Sequence, residues 1–288
     1  MSGEQGWFES ADGTRLLWRR LRPEDDARAT LLFVHGLAEH SGRYLHVLEN
    51  FAGAGYDCWA FDYRCHGESP GLRVHVDRFD EFVDDVAAAH RMVREAVPNR
   101  PLILVGHSQG GLLVLRYATA HPEGIDGIIV SSPFLGMHPE SKPPAALQMV
   151  ANIVSTFLSK VMFSKVADPS FLSRTPGVAE AYVDDPLVSS TVSARWFTEV
   201  IRAQLETREM AGRLSVPALI MQSGDDRLVD PALTRDWAAR APADLVEYVE
   251  WPGLYHEMFN EPEQEQVFDR MESWLQQQLL ANSSASGT

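Results

Sequence analysis

The chain has 288 residues, 45% hydrophobic and 23% charged, enough for one large α/β domain or a core domain carrying an insertion. Its formal net charge of −15 argues against nucleic acid and anionic membranes as general partners, and two cysteines, Cys58 and Cys65, do not make a disulfide framework. The polar opening Met1-Ser2-Gly3-Glu4 contains no apolar signal segment and no run of 18 apolar residues occurs, so a cytoplasmic protein that does not span a membrane is expected.

The first elements are strands. Trp7–Ser10 and Thr14–Arg20 flank Asp12-Gly13, a hairpin signal. Leu31-Leu32-Phe33-Val34 is apolar without alternation, as a strand buried on both faces should be. It runs into His35-Gly36-Leu37-Ala38-Glu39-His40-Ser41-Gly42, and helical spacing follows over Arg43–Gly53. Tyr56–Phe61 is the next strand, ending in the turn-rich loop Asp62–Gly71. Phe79, Phe82, Val83, Val86, His90, Val93 and Val97 predict a helix before Pro98, with His90 at the edge of the core. Leu102–Val105 is another buried strand. It meets Gly106-His107-Ser108-Gln109-Gly110-Gly111, after which a helix reaches about His121. Ile125–Val130 is again a strand. Strands alternating with helices, joined by connections too long for hairpins, require a mostly parallel sheet with helices on both faces.

That alternation stops at Pro133. Between residues 133 and 212 no run reads as a central strand. Ala146, Leu147, Val150, Ile153, Val154, Phe157, Leu158, Val161 and Met162 fall on one face of a predicted helix, and a second helix is expected over Ser193–Glu209. An apolar face of this kind is expected to be buried on the core or over a pocket. The alternation resumes with the strand Ala218–Ser223, a helix from Pro231 to Arg240 capped by Asp230, the strand Asp244–Trp251 and a closing helix Pro262–Leu280. The expected organisation is therefore a core in two parts, 1–132 and 213–280, an inserted helical cap at 133–212, and an unstructured tail at 281–288.

Three strand ends carry groups that belong together chemically. Gly-x-Ser-x-Gly between a strand and a helix predicts a sharp turn that lifts Ser108 above the sheet edge, at a helix N-terminus rich in unpaired N–H groups. An alcohol is a poor nucleophile at neutral pH and needs a base, and the base needs an orienting acid. Asp225 or Asp226 follows a later strand, and His256 lies in the loop past the last. Adjacent side chains diverge, so one of the two aspartates reaches the histidine; Asp226 is favoured, with Asp225 left to the turn. His107 is expected to point away from the nucleophile and pack in the elbow, while His35 and His66 shape nearby loops. The oxyanion of an acyl-transfer intermediate needs two donors, expected from the backbone N–H groups of Gln109 and Leu37. The histidines and cysteines lack zinc-ligand spacing, the glycines lack dinucleotide spacing, and no cofactor or metal is expected. A serine at the elbow excludes the aspartate-nucleophile chemistries.

These residues resemble the serine hydrolases of the α/β-hydrolase fold, most closely the monoacylglycerol lipase / lysophospholipase group. The resemblance rests on His35-Gly36 followed by Glu39-His40-Ser41-Gly42-Arg43-Tyr44, on the elbow Gly106–Gly111, on Asp62–Ser69, on the acid turn Ser223–Val229 and on Tyr255-His256. It carries the acid onto Asp226. Cys65 departs from the group's usual glycine and puts the shape of that loop in question. In the cap, Tyr182-Val183-Asp184-Asp185-Pro186-Leu187 resembles a segment common in the group. The resemblance implies hydrolysis of a single-chain lipid ester, monoacylglycerol, through an acyl-enzyme, with a cap that roofs the acyl tunnel and touches a membrane or micelle surface. For the apolar helix face of the cap it implies burial over a pocket, which makes Leu147, Val150, Ile153, Val154, Phe157 and Leu158 candidates for a substrate pocket. A lysophospholipase, carboxylesterase or thioesterase would use the same triad. A phosphate head group would want a cationic lining, for which the cap offers Lys142, Lys160, Lys165, Arg174 and Arg195. A binding protein on the same scaffold is the alternative outside enzymes.

Overall fold

The computed structural model describes residues 2–164 and 168–285. In chain order its elements are β1 (Ser2–Glu9), β2 (Arg15–Arg22), β3 (Thr30–Val34), α1 (Leu45–Gly53), β4 (Asp57–Asp62), α2 (Asp80–Ala96), β5 (Leu102–His107), α3 (Gln109–Ala120) and β6 (Gly127–Ser131). After β6 come α4 (Ala145–Phe157), β7 (Met162–Ser164), α5 (Val178–Asp184), β8 (Thr191–Ser193) and α6 (Ala194–Glu209). The chain closes with β9 (Ala218–Ser223), α7 (Pro231–Arg240), β10 (Val246–Trp251) and α8 (Gln264–Ala285). Eight strands form one sheet in the order β1-β2-β4-β3-β5-β6-β9-β10. The β1–β2 and β2–β4 pairings are antiparallel and the rest parallel.

Alternation along the central strands divides the core into two layers. Leu32, Val34, Leu102 and Leu104 pack with α2, α3 and α6 on one face; Leu31, Phe33, Ile103 and Val105 pack with α1 and α8 on the other. Each of these strands is therefore buried at every position and carries an unbroken apolar run, which is why it shows no period of two. Among the described residues, the insertion between β6 and β9 adds no strand to this sheet. Its β7 and β8 form a separate two-stranded ladder, Met162 opposite Ser193.

Several boundaries differ from expectation. β1 begins at Ser2 rather than Trp7, because the hairpin register set at Glu9↔Arg15 zips outward to Ser2↔Arg22. α8 continues to Ala285, five residues into the segment expected to be an unstructured tail, since lengthening a formed helix is far easier than starting one. Residues 286–288 lie outside the described residues. Val161 and Met162 are not on α4: Leu158 leaves helical geometry at φ −136°, and Met162 enters the small ladder with β8. Cys65 takes a left-handed φ of 65°, the backbone a glycine would supply. Gly71 makes room for its side chain: a Cβ there would lie 2.3 Å from Cys65 Sγ. The loop thus accommodates a side chain at that place. Among the described residues no helix is long and apolar enough to cross a membrane.

Candidate active site

Ser108 stands between β5 and α3 with φ 52° and ψ −117°, a conformation that L-residues avoid unless their surroundings impose it. The surroundings do so. Its N–H donates to the Ser131 carbonyl at 2.9 Å, and its own carbonyl accepts from Phe134 N–H at 2.9 Å and Leu112 N–H at 3.0 Å. The turn closes because α3 presses against the end of β3: a Cβ on Gly110 would lie 2.0 Å from the Val34 carbonyl oxygen. Gly36, in the loop after β3, comes close to the serine, since a Cβ there would lie 3.3 Å from Ser108 Cβ. Leu37, one expected oxyanion donor, directly follows Gly36 and lines the same cavity as Ser108, and Gln109, the other, directly follows the serine. Gln109 begins α3, so its N–H is among the first of the helix and has no acceptor one turn back.

The loop holding Leu37 is fixed at both sides of Gly36. Gly36 N–H donates to Glu39 Oε1 at 2.5 Å, and its carbonyl accepts from the Tyr63 hydroxyl at 2.6 Å. His35 stacks flat on the Tyr63 ring with centroids 4.0 Å apart, and His66 lies against the same ring. Ala38, at φ 64°, offers its carbonyl to Ser189 N–H of the insertion at 2.8 Å.

His256 lies past β10. Its Nδ1 is 2.7 Å from Asp226 Oδ2. The other oxygen, Asp226 Oδ1, accepts from the N–H groups of Leu228 at 2.9 Å and Val229 at 3.0 Å, which hold the carboxylate in place. Asp226 is 2% exposed, whereas its neighbour Asp225 is exposed to solvent. Burial pulls the His256 pKa down, but the Asp226 carboxylate and its hydrogen bond, helped by Glu257 and Glu39, outweigh that and raise it above the usual histidine value. The insertion also braces this loop, as the carbonyls of Phe171 and Leu172 accept from the N–H groups of His256 and Glu257.

His107 packs in the elbow as expected and also meets the His256 ring. Its ring lies 4.7 Å from that of His256 and its Nδ1 is 3.1 Å from Ser131 Oγ. It shares a sheet face with Ile103 and Val105, and the loop carrying His256 and Phe259 folds over that same face. Burial, with the His256 charge second, holds its pKa down to about 3, so it stays neutral wherever His256 titrates.

Arg43 joins the two loops. Its guanidinium donates to both oxygens of Glu257, at 2.7 and 2.9 Å, and to Glu39 Oε2. Tyr182 of α5 lies over the guanidinium, 4.8 Å from ring centroid to Cζ. Close by, His40 Nε2 is 2.8 Å from Asp185 Oδ2. The Glu39-to-Tyr44 motif is thus a set of clamps between the Leu37 loop, the His256 loop and the insertion. Glu39 and Glu257 are both buried, so removing their shared cation leaves two uncompensated carboxylates. Arg43→Met is expected to destabilise the protein by about 3–5 kcal/mol. Denaturant unfolding checks this, and a wild-type midpoint would contradict it.

Ser108 and His256 line one cavity of about 410 Å³. Its wall is mainly apolar, with Phe134, Met137, Leu172, Tyr182, Trp196 and Phe197 prominent. Of the pocket residues expected from the sequence, Leu147 lines it, while Val150, Ile153, Val154, Phe157 and Leu158 do not. α4 is turned the other way about. Its buried residues are the small ones, Ala151 and Ser155, with Ser155 Oγ 2.8 Å from Thr198 Oγ1 of α6. Small side chains let the two helices approach closely, and the large apolar ones go outward: Met149 is 61% exposed, Ile153 57% and Phe157 80%. Of the lining residues missed, Tyr182 stands in the 182–187 segment already singled out, and Trp196 and Phe197 open the second helix expected in the insertion. Of the cap cations, Lys142, Lys160, Arg174 and Arg195 do not line the cavity, and Lys165 lies outside the described residues. Arg174 is instead paired with Glu261 and Glu263.

The family described as serine aminopeptidase, S33 matches residues 25–263. A monoacylglycerol lipase of Mycolicibacterium smegmatis is 34% identical over 269 residues, 93% of this chain and 95% of its own. A phospholipase of Bacillus subtilis is 32% identical, with 91% of this chain and 99% of its own covered. The crystal structure of Paleococcus ferrophilus monoacylglycerol lipase superposes with a TM-score of 0.81 at 29% identity, covering 96% of this chain and 100% of that one.

Proposed function

The chain belongs to the serine aminopeptidase S33 family, and from that premise we propose that it hydrolyses the ester of monoacylglycerol to fatty acid and glycerol, with Ser108, His256 and Asp226 as its triad. The observation that carries this reading is that His256, paired with the buried Asp226, lines the same apolar cavity as the strained serine. His256, oriented by Asp226, takes the proton of Ser108 as Oγ attacks the ester carbonyl. The backbone N–H groups of Leu37 and Gln109 receive the oxyanion. His256 then protonates the departing glycerol and activates the water that frees the fatty acid.

The cavity wall also bears on the choice of ester. Its charged lining near the serine is Glu39 and Glu257, and among the described residues no lysine or arginine lines it. A neutral polyol suits that wall better than a phosphate. A hydrolysis profile of 1-monoacylglycerol against lysophosphatidylcholine of equal chain length tests the assignment. Preference for the lysophospholipid would overturn it in favour of the phospholipase alternative.

The outward face of α4 serves, in this reading, as the contact with the lipid surface that supplies substrate. Met149, Ile153, Phe157 and Leu158 are each more than half exposed, a costly arrangement in water and a favourable one in a lipid interface. The net charge of −15 favours neutral over anionic surfaces. Burying one such side chain is worth about 1.5–3 kcal/mol, so the double variant Ile153→Asp/Phe157→Asp is expected to lose roughly tenfold or more activity on monoacylglycerol in neutral micelles. Its rate on a soluble short p-nitrophenyl ester should stay at the wild-type level. Equal losses on both substrates would remove the surface role.

A further inference from the structure

The proposed reaction uses the main-chain N–H of Gln109 and leaves its side chain without a task. Yet that side chain is fully buried and polar, an arrangement that is unfavourable unless every partner is supplied. The partners are specific. Gln109 Oε1 accepts from the indole Nε1–H of Trp196 at 2.8 Å. Gln109 Nε2 donates to the Tyr63 hydroxyl at 3.0 Å. That hydroxyl in turn donates to the Gly36 carbonyl at 2.6 Å, one residue before the Leu37 N–H. Burial holds the Tyr63 pKa well above its usual value, so the hydroxyl keeps the proton it donates. Trp196 belongs to α6 in the insertion and lines the cavity. One unbroken chain of hydrogen bonds therefore runs from the wall of the acyl cavity, through the residue after the nucleophile, to the loop that presents the second oxyanion donor.

We propose that the Gln109 side chain is a positioning residue that ties α6 to the oxyanion loop through Tyr63, so that the Leu37 N–H is aimed correctly when Trp196 is seated. The Ser189–Ala38 hydrogen bond joins the insertion to the same loop from its far side. The loop is thus held at Gly36 and Ala38 with Leu37 between them. Displacing α6 breaks the first tie and displacing residue 189 the second, so the hole is fully formed only with the insertion docked. This proposal rests on the reading of Ser108 as nucleophile.

Gln109→Met keeps the volume and the main-chain donor while removing both hydrogen bonds, and Tyr63→Phe removes a single oxygen. Each is expected to lower kcat on a soluble p-nitrophenyl ester about tenfold, less than outright loss of an oxyanion donor, with KM within about twofold of wild type. Affinity for a trifluoromethyl ketone, whose adduct places an oxyanion in the hole, should fall by the same factor as kcat. The double variant should be no worse than the poorer single one, because both cut the same chain. Wild-type kcat in either folded variant, a change confined to KM, a loss of kcat without loss of ketone affinity, or losses that multiply in the double variant would each overturn the proposal. If Gln109→Met does not fold, Tyr63→Phe decides alone on kcat and ketone affinity. Fluorophosphonate labelling of wild-type Ser108, run alongside, separates failure of this proposal from failure of the hydrolase reading, which predicts labelling.

Discussion

Ser108→Ala is expected to lower kcat on monoacylglycerol and on p-nitrophenyl esters by roughly 10⁴–10⁶-fold, the scale seen when a hydrolase loses its nucleophile but keeps its oxyanion hole. The substitution removes one oxygen. The elbow is held by main-chain hydrogen bonds at Ser131, Phe134 and Leu112, none of which uses the side chain, so the fold should persist. A φ of 52° remains unfavourable for alanine as it is for serine, which leaves little change in stability. The variant should also lose all labelling by a fluorophosphonate. Purified, folded Ser108→Ala that turns over ester at the wild-type rate would end the hydrolase assignment, whatever the family resemblance.

Asp226→Asn should cost roughly 10³–10⁴-fold in kcat/KM, because an amide can present its N–H to His256 Nδ1 and thereby stabilise the wrong tautomer. The same change at Asp225 should leave activity within about twofold, as expected of a surface substitution, since that side chain is exposed and Asp226 occupies the contact with the imidazole. The pH dependence gives an independent reading. His256 must be neutral to act as base, so activity falls as pH drops through its pKa. That pKa is raised by Asp226, which places the acid limb of wild-type kcat/KM above the ordinary histidine value of 6.5. Loss of the carboxylate should move the limb to lower pH. His107 contributes no second limb in this range, held as it is to about 3. A limb unmoved in Asp226→Asn, or a large loss in Asp225→Asn, would assign the acid elsewhere.

Much of the fold could be read from local pattern. β3, β5 and β6 are buried at every residue and mostly apolar because both faces are covered, and the intervening helices show their period plainly. The strand–turn–helix at 102–120 was legible for a similar reason, since glycines at 106 and 110 admit a turn that other residues would block. The error on α4 is of a different kind. Periodicity shows that a helix has an apolar side, but burial of that side is a separate fact, decided by what packs against it. Here Ala151 and Ser155 meet α6, because close helix approach favours small side chains, and Met149, Ile153 and Phe157 are left outside. His107 follows the same logic. Its place in the elbow was plain from its neighbours, but the loop that folds over its face comes from 150 residues further on.

By itself the sequence determined the element order, the parallel sheet and the presence of a serine, an acidic pair and a histidine each just past a strand. These follow from hydrophobic period, turn chemistry and residue type, all of which act over a few residues. Only the tertiary structure decided which aspartate carboxylate meets the imidazole, which residues wall the cavity, and how Arg43 and Gln109 join the insertion to the loops beneath it. Those are contacts between segments distant in the chain, and their directions depend on how layers dock, a property no local window contains.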